Sequence, residues 1–321
     1  MARNRPIRAL VTGGAGFIGR HLVARLLREG YAVSVADRIF PPETADWPVT
    51  RLVCDVRDAE PLALVVNQTA PEVVFHLAGL ARGDDLAQLL SVNLFGTRAL
   101  LDTLRRWPIP PLVVIPGSSA EYGQIREGHP VAETAALHPT SAYGLSKVAQ
   151  SLLGVAYSVR GEVPVIVGRV FNITGPGEPP SMLLGAMAEQ IVQCEAENRL
   201  PVLQVGNLSP IRDFLDVRDA ARALWLLSLS GRPSTVYNIC SGQGRCVEDV
   251  VRQLAALCPM EISLSPDPAR QRPADVPYCV GNPGRLRNTI GWIPEIPFEE
   301  SLTAVLSSRR EALPLPVLIA V

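Results

Sequence analysis

Residues Val11–Gly19 read VTGGAGFIG. The apolar run Ile7–Thr12 before them predicts a β-strand. After them, Phe17–Glu29 sets Phe17, Ile18, Leu22, Leu26 and Leu27 near one face of a predicted helix, which Gly30 stops. The glycines satisfy two spacings at once: Gly13, Gly16 and Gly19, or Gly14, Gly16 and Gly19. Strand, glycine loop and helix in this order form the context of a dinucleotide site. Absent side chains let the backbone approach a pyrophosphate, and the helix start offers N–H groups and a positive dipole end. The alternative is a glycine-rich turn without a ligand. Against it stands Asp37, which ends the next strand, Tyr31–Ala36, where a carboxylate can take the hydroxyls of an adenosine ribose and repel a 2′-phosphate. This favours NAD(H). Arg38 follows directly and could bind a 2′-phosphate or stack on adenine, which leaves NADP(H) open. Asp55 and Val56 follow a third strand, where an adenine edge would lie.

Outward from that loop, short apolar strands at Val73–Ala78, Leu112–Pro116 and Val163–Val170 alternate with helical segments, notably Leu86–Arg106 and Tyr143–Arg160. Alternation of this kind predicts an α/β fold, a Rossmann-type doubly wound parallel sheet with helices on both faces. After Asn172 the pattern loosens. Ile173–Ser181 carries Pro176, Pro179 and Pro180 and reads as a loop. Helices near Met182–Glu197, Val217–Leu229 and Val247–Leu257 and strands near Val202–Val205 and Val236–Cys240 follow. The expected division is a nucleotide-binding domain over 1–171 plus about 213–240, and a smaller α/β substrate lobe over 172–212 and 241–321.

Composition narrows the partners. Of 321 residues, 47% are hydrophobic and 19% charged, enough for a sizeable core. The net charge of −1 asks for neither nucleic acid nor an anionic membrane. The six cysteines form no CxxC pair and the four histidines show no ligand spacing, so no metal site is expected. Buried free thiols fit a reducing cytoplasm. Met1–Arg8 is basic but runs straight into the first strand, unlike a signal peptide. Leu313–Val321 is too short to span a bilayer and reads as a packed tail or terminal strand.

A second constellation is catalytic in character. Tyr143–Lys147 reads YGLSK at the start of a helix, where residues four apart share a face. A lysine charge and an oxidised nicotinamide would lower the pKa of the phenol, which is ordinarily near about 10. Ile115–Gly123 reads IPGSSAEYG directly after a predicted strand, placing Ser118 at the C-terminal sheet edge. Ser118 could bond the same substrate oxygen as Tyr143, or Ser118 and Ser119 could only cap a turn.

With HLAG (His76–Gly79), Asn93, RVFNITGPG and RDFLDVRDAARAL, these motifs resemble the extended short-chain dehydrogenase/reductase family over nearly the whole chain. The resemblance implies Ser118, Tyr143 and Lys147 as the catalytic triad. Gly13, Gly16, Phe17, Ile18, Gly19, Asp37, Arg38, Asp55, Val56, Leu77, Ala78 and Val170 become cofactor residues, with Tyr143 and Lys147 at the nicotinamide end. It also implies a homodimer through a four-helix bundle formed by the helices around Asn93–Arg106 and Tyr143–Arg160. Sugar-nucleotide 4,6-dehydratases of this family carry Ser/Thr-Asp-Glu before a V-Y-G. Aligned on Tyr122–Gly123, the glutamate position falls on Ala120, which argues against a dehydratase unless a local bulge restores Glu121. GNLSPIRD (Gly206–Asp213) and RQRPADV (Arg270–Val276) resemble GDP-mannose dehydratases and their allied reductases, and YNICSGQ (Tyr237–Gln243) and DPAR (Asp267–Arg270) look most like the branch that reduces GDP-6-deoxy-4-keto-hexoses, as in GDP-rhamnose formation. That branch implies a nucleotide-diphosphate sugar bound by Ser119, Glu121, Asn172, Leu183, Arg212, Arg272 and Asp275. Arg212 and Arg272 would hold the diphosphate, although an Arg212–Asp213 ion pair and a solvated Arg272 are the alternatives. A 4-epimerase with retained NAD and a non-catalytic NAD-binding regulator are the competing functions.

Overall fold

The computed structural model describes residues 5–197, 199, 202–270 and 276–313. In chain order come β1 (Arg8–Thr12), α1 (Phe17–Arg28), β2 (Ala32–Asp37), β3 (Thr50–Val53), α2 (Ala59–Thr69) and β4 (Val73–His76). Then α3 (Leu86–Leu89) passes through a π-helical stretch, Leu90–Gly96, into α4 (Thr97–Leu104). β5 (Leu112–Ser118), α5 (Ala142–Val159), β6 (Val165–Val170) and β7 (Asn172–Thr174) follow. The rest is α6 (Leu183–Glu197), β8 (Val202–Val205), β9 (Ile211–Asp216), α7 (Val217–Ser230), β10 (Thr235–Ile239), β11 (Gly244–Cys246), α8 (Val247–Ala255), β12 (Ser263–Pro266), β13 (Tyr278–Cys279), α9 (Gly284–Ile290) and α10 (Phe298–Ala312).

Seven strands form one parallel sheet in the order β10-β6-β5-β4-β1-β2-β3. The central strands are apolar and covered on both faces: all four residues of β4 are buried, as are all six of β6. Chain direction across the sheet reverses between β1 and β4, and ligands of such sheets sit outside the strand C-termini at that switch. The glycine loop leaves β1 there, and Leu77–Ala78 leave β4 beside it.

β7, β9, β11 and β13 form a second, smaller sheet, and β8 pairs with β12. Leu184, Ile191, Val250, Leu254, Leu302 and Val305 build a core for this lobe from α6, α8 and α10. α7 and β10 return the chain to the large sheet, with Leu224 and Tyr237 in its core.

Several expectations shift. The strand expected over Val73–Ala78 ends at His76, freeing Leu77 and Ala78 to line a cleft. The loop expected over Ile173–Ser181 begins with β7, which β9 pairs. Residues 211–216 belong to the smaller sheet, so the return to the large sheet starts at α7 rather than near 213. Of the expected C-terminal tail, 314–321 lie outside the described residues.

Candidate functional site

The glycine loop is shaped by close approach. Gly13 has φ +70°, and a Cβ there would lie 2.5 Å from the Ala78 nitrogen. A Cβ on Gly19 would lie 2.4 Å from the Gly13 carbonyl oxygen. Only glycine lets the loop fold down onto the β4 turn while α1 begins directly above it. Gly16 caps α1 without a side-chain hydrogen bond, so no side chain covers the first-turn N–H groups of Phe17 and Ile18. A cleft of about 290 Å³ opens here, lined by Gly13, Gly16, Asp37, Arg38, Asp55, Val56, Leu77 and Ala78 among others. Gly19 lies beneath it, and Val170 is buried at the end of β6.

Asp37 is oriented at the rim. Its Oδ2 accepts from the Ala15 N–H at 3.0 Å and its Oδ1 from the Arg38 N–H at 2.8 Å. Arg38 leans toward Asp55, at 3.8 Å. Asp55 takes a two-pronged grip from Arg57, with bonds of 3.0 and 2.6 Å, which holds its carboxyl below the ordinary range. A glycine cradle, an uncapped helix start and a carboxylate at the ribose position suit a nicotinamide dinucleotide.

Further along the sheet, β5 ends at Ser118 and the first turn of α5 carries Tyr143. Ser141 caps α5, accepting the Gly144 N–H at 3.0 Å. Burial pushes the Tyr143 phenol up, the neighbouring Ser118 side chain lowers it by less, and the Glu121 charge adds to the rise. Burial therefore opposes the lowering expected from the lysine and the nicotinamide. The phenol is held protonated. Lys147 is buried, and burial lowers its ammonium to about 8. Its Nζ donates to the Pro116 carbonyl at 2.6 Å and to Gln150 Oε1. Of 30 Lys and Arg side chains in the chain, Lys147 is the single lysine. Every other cation is an arginine. This position takes the compact amine, which can lose a proton where a guanidinium cannot.

Glu121 does not face the cleft. It is fully buried, with Arg169 Nε at 2.8 Å from its Oε2. Its Oε1 accepts from the Ser118 N–H at 2.8 Å and from the Ser151 hydroxyl at 2.9 Å. The Ser118 hydroxyl in turn accepts the Ala120 N–H at 3.2 Å. Ser118 therefore caps a turn, with Tyr143 as a neighbour. The expectation of substrate contact by Glu121 is corrected: turned outward, it would leave the buried Arg169 guanidinium without its countercharge, so the side chain turns inward. No bulge restores it to the dehydratase position.

The remaining substrate-side residues are partly gathered. Ser119 is half-buried and neighbours the Cys279 thiol. Asn172 donates to the Asp213 carbonyl at 3.2 Å. Leu183 opens α6, and Arg212 lies on β9 with a guanidinium N–H on the Ile211 carbonyl at 3.0 Å. Asp213 is committed elsewhere: its carboxylate accepts the N–H groups of Ser241, Gly242 and Gly281. Arg272 and Asp275 lie outside the described residues.

Sequence reasoning passed over a buried polar set beneath Lys147: Thr12, His76, Thr97 and Gln150. The available signal was a run of polar residues, Ser146, Lys147, Gln150 and Ser151, on the inward face of an otherwise apolar helix. Glu178 was also missed. It is buried, caps the start of α6 by accepting the Leu184 and Gly185 N–H groups at 3.0 Å each, and is pushed by burial to about 7.

Residues 9–240 match the model of the NAD dependent epimerase/dehydratase family. The chain belongs to this family. It is 32% identical over 312 residues to the GDP-6-deoxy-D-mannose reductase of Pseudomonas aeruginosa, covering 94% of this chain and 96% of that protein. The structure of Pseudomonas aeruginosa RMD complexed with NADPH superposes with a TM-score of 0.81 at 30% identity, covering 95% and 99% of the two chains. The UDP-glucose 4-epimerase of Thermus thermophilus, in complex with NAD, gives 0.85 at 28% identity, covering 95% and 100%. NAD(H) is accordingly the cofactor class of this enzyme, with NADP(H) also compatible. Among the described residues no helix is long and apolar enough to cross a membrane.

Proposed function

We propose that this enzyme reduces the 4-keto group of a nucleotide-linked 6-deoxy-hexulose, with GDP as the nucleotide. The observation that carries the reading is the docking of the start of α5 on the end of β5, where Lys147 Nζ donates to the Pro116 carbonyl at 2.6 Å, which brings Tyr143 beside Ser118 with its phenol kept protonated by burial. Such a phenol is a proton donor in waiting. The bound reduced nicotinamide would supply hydride to the carbonyl carbon. Tyr143 gives its proton to the oxygen as charge develops there, and Ser118 orients that oxygen. Two of the three Lys147 N–H donors are engaged by Pro116 and Gln150, and the third remains for the cofactor ribose. On the substrate side, Ser119, Asn172, Leu183 and Arg212, together with Arg272 and Asp275, are assigned to the sugar nucleotide. The 32% identity to a GDP-6-deoxy-D-mannose reductase supports the sugar and the base. The two lobes follow the two sheets, with cofactor on the larger and nucleotide sugar on the smaller. Six free cysteines fit a cytoplasmic setting.

Replacing Tyr143 by Phe removes the proton donor and should lower turnover by about two orders of magnitude or more while sparing cofactor affinity. Near-full activity in that variant would defeat the assignment. The likeness to a UDP-glucose 4-epimerase favours a second reading, an epimerase with retained NAD. The two separate on redox balance: a reductase consumes added NADH, and an epimerase interconverts sugars without it.

A homodimer is also proposed. Leu145, Leu152 and Val159 lie seven residues apart along α5 and are 44%, 58% and 70% exposed, and Phe95 on the neighbouring helix is 54% exposed. An apolar stripe of this kind suits the four-helix pairing that the family resemblance implies.

A further inference from the structure

Beneath the catalytic lysine, hydrogen bonds run through the core to the loop at the cofactor cleft. Gln150 Nε2 lies 2.8 Å from the Thr97 hydroxyl, His76 Nε2 lies 2.9 Å from the same oxygen, and His76 Nδ1 lies 2.7 Å from the Thr12 hydroxyl. The Ala78 N–H donates to Thr12 at 3.3 Å. Thr97, Gln150, His76 and Thr12 are all buried, so water does not compete.

Proton accounting orients every member. The single hydroxyl proton of Thr97 goes to the Asn93 carbonyl at 2.6 Å. Thr97 must therefore accept from both Gln150 and His76. His76 is then the neutral Nε2–H tautomer, and its Nδ1 accepts from Thr12. Burial lowers His76 to about 3, consistent with a ring that never charges here. Gln150, with its amide nitrogen committed to Thr97, has one orientation, and its Oε1 faces Lys147.

We propose that Gln150 is a positioning residue that holds the Lys147 ammonium and keeps it charged, with Thr97 and His76 locking the amide that does so. Lys147 has no carboxylate among its direct hydrogen-bond partners. It has two oriented dipoles, Pro116 O and Gln150 Oε1. Losing one removes a stabiliser of the charged form in a site without water. The other charged or titratable groups around it are Tyr143 on the same helix, Glu121 with its partner Arg169, and neutral His76. None duplicates the contact of Gln150. The functional consequence rests on the catalytic reading of Lys147.

The single lysine makes the test direct. Full-length protein grown with ¹³Cε-labelled lysine gives one side-chain signal, and its pH titration reads Lys147 without substrate or cofactor. Wild type should titrate below the ordinary amine value of 10.5, near about 8. Gln150→Leu should lower the midpoint by about a unit or more, and Gln150→Glu, which adds a countercharge, should raise it by about as much. The variants' pH–rate profiles should move in the same two directions. Midpoints unchanged in both variants overturn the proposal, and Gln150→Glu carries the test alone if Gln150→Leu fails to fold. Should Lys147→Met and Tyr143→Phe keep full turnover while the titrations move as stated, the catalytic reading falls and the placement of Gln150 stands.

Discussion

Asp37 is proposed to set the choice of cofactor, through its charge. Its two oxygens are fixed by backbone N–H groups, which points the carboxylate at the ribose position. Arg38, leaning toward Asp55, offsets it only in part. Asp37→Ala should raise the NADPH-to-NADH ratio of kcat/KM by about tenfold, or ~1.4 kcal/mol. Steady-state kinetics with both cofactors would check this, and an unchanged ratio would move the specificity off Asp37. Glu178 makes a prediction about stability. Its carboxyl has an ordinary value of 4.5 and a folded value of about 7. The folded state therefore keeps its proton longer than the unfolded one. The resulting stabilisation is complete below 4.5 and is lost as pH rises through about 7. Glu178→Gln mimics the protonated form. Thermal denaturation should find it level with wild type at the acid end of that window and more stable above it.

Individual elements show why part of the chain was legible. β1, α1 and β2 carry their own signals: an apolar run, a helical period and glycines whose need the geometry explains. Gly13→Ala should cost ~2 kcal/mol or more, from its φ of +70° and the 2.5 Å approach to Ala78, and should weaken NADH binding in a fluorescence titration. β11 and β13 had no comparable signal. They are three and two residues long and exist only because β9 pairs them. α10 was legible in principle, with Phe298, Leu302, Val305 and Leu306 on one face, but the Pro-rich segments before it masked the period. In the site, spacing along one helix placed Tyr143 and Lys147, and the strand before Ser118 placed the serine. The inward turn of Glu121 was not legible, because it depends on Arg169, 48 residues away. The same holds for Gln150, whose role depends on hydrogen bonds from three other elements.

The whole molecule pairs a seven-stranded parallel sheet with a smaller four-stranded one. The residues proposed for the chemistry lie on β5 and α5, and α5 also carries the exposed stripe of Leu145, Leu152 and Val159. The proposed chemistry and the proposed dimer contact thus share one helix. Leu152→Glu should convert a dimer to a monomer in analytical ultracentrifugation, with turnover lowered if the inner face of α5 depends on the outer. A dimer that survives the change would place the interface elsewhere. The central claim is the reaction itself. The most direct measurement follows reduced nicotinamide and sugar together when the enzyme meets a GDP-linked 4-keto-6-deoxy-hexose and NADH. The account predicts one NADH oxidised for each keto group reduced. Interconversion of 4-hydroxyl epimers with no net NADH consumption would contradict it.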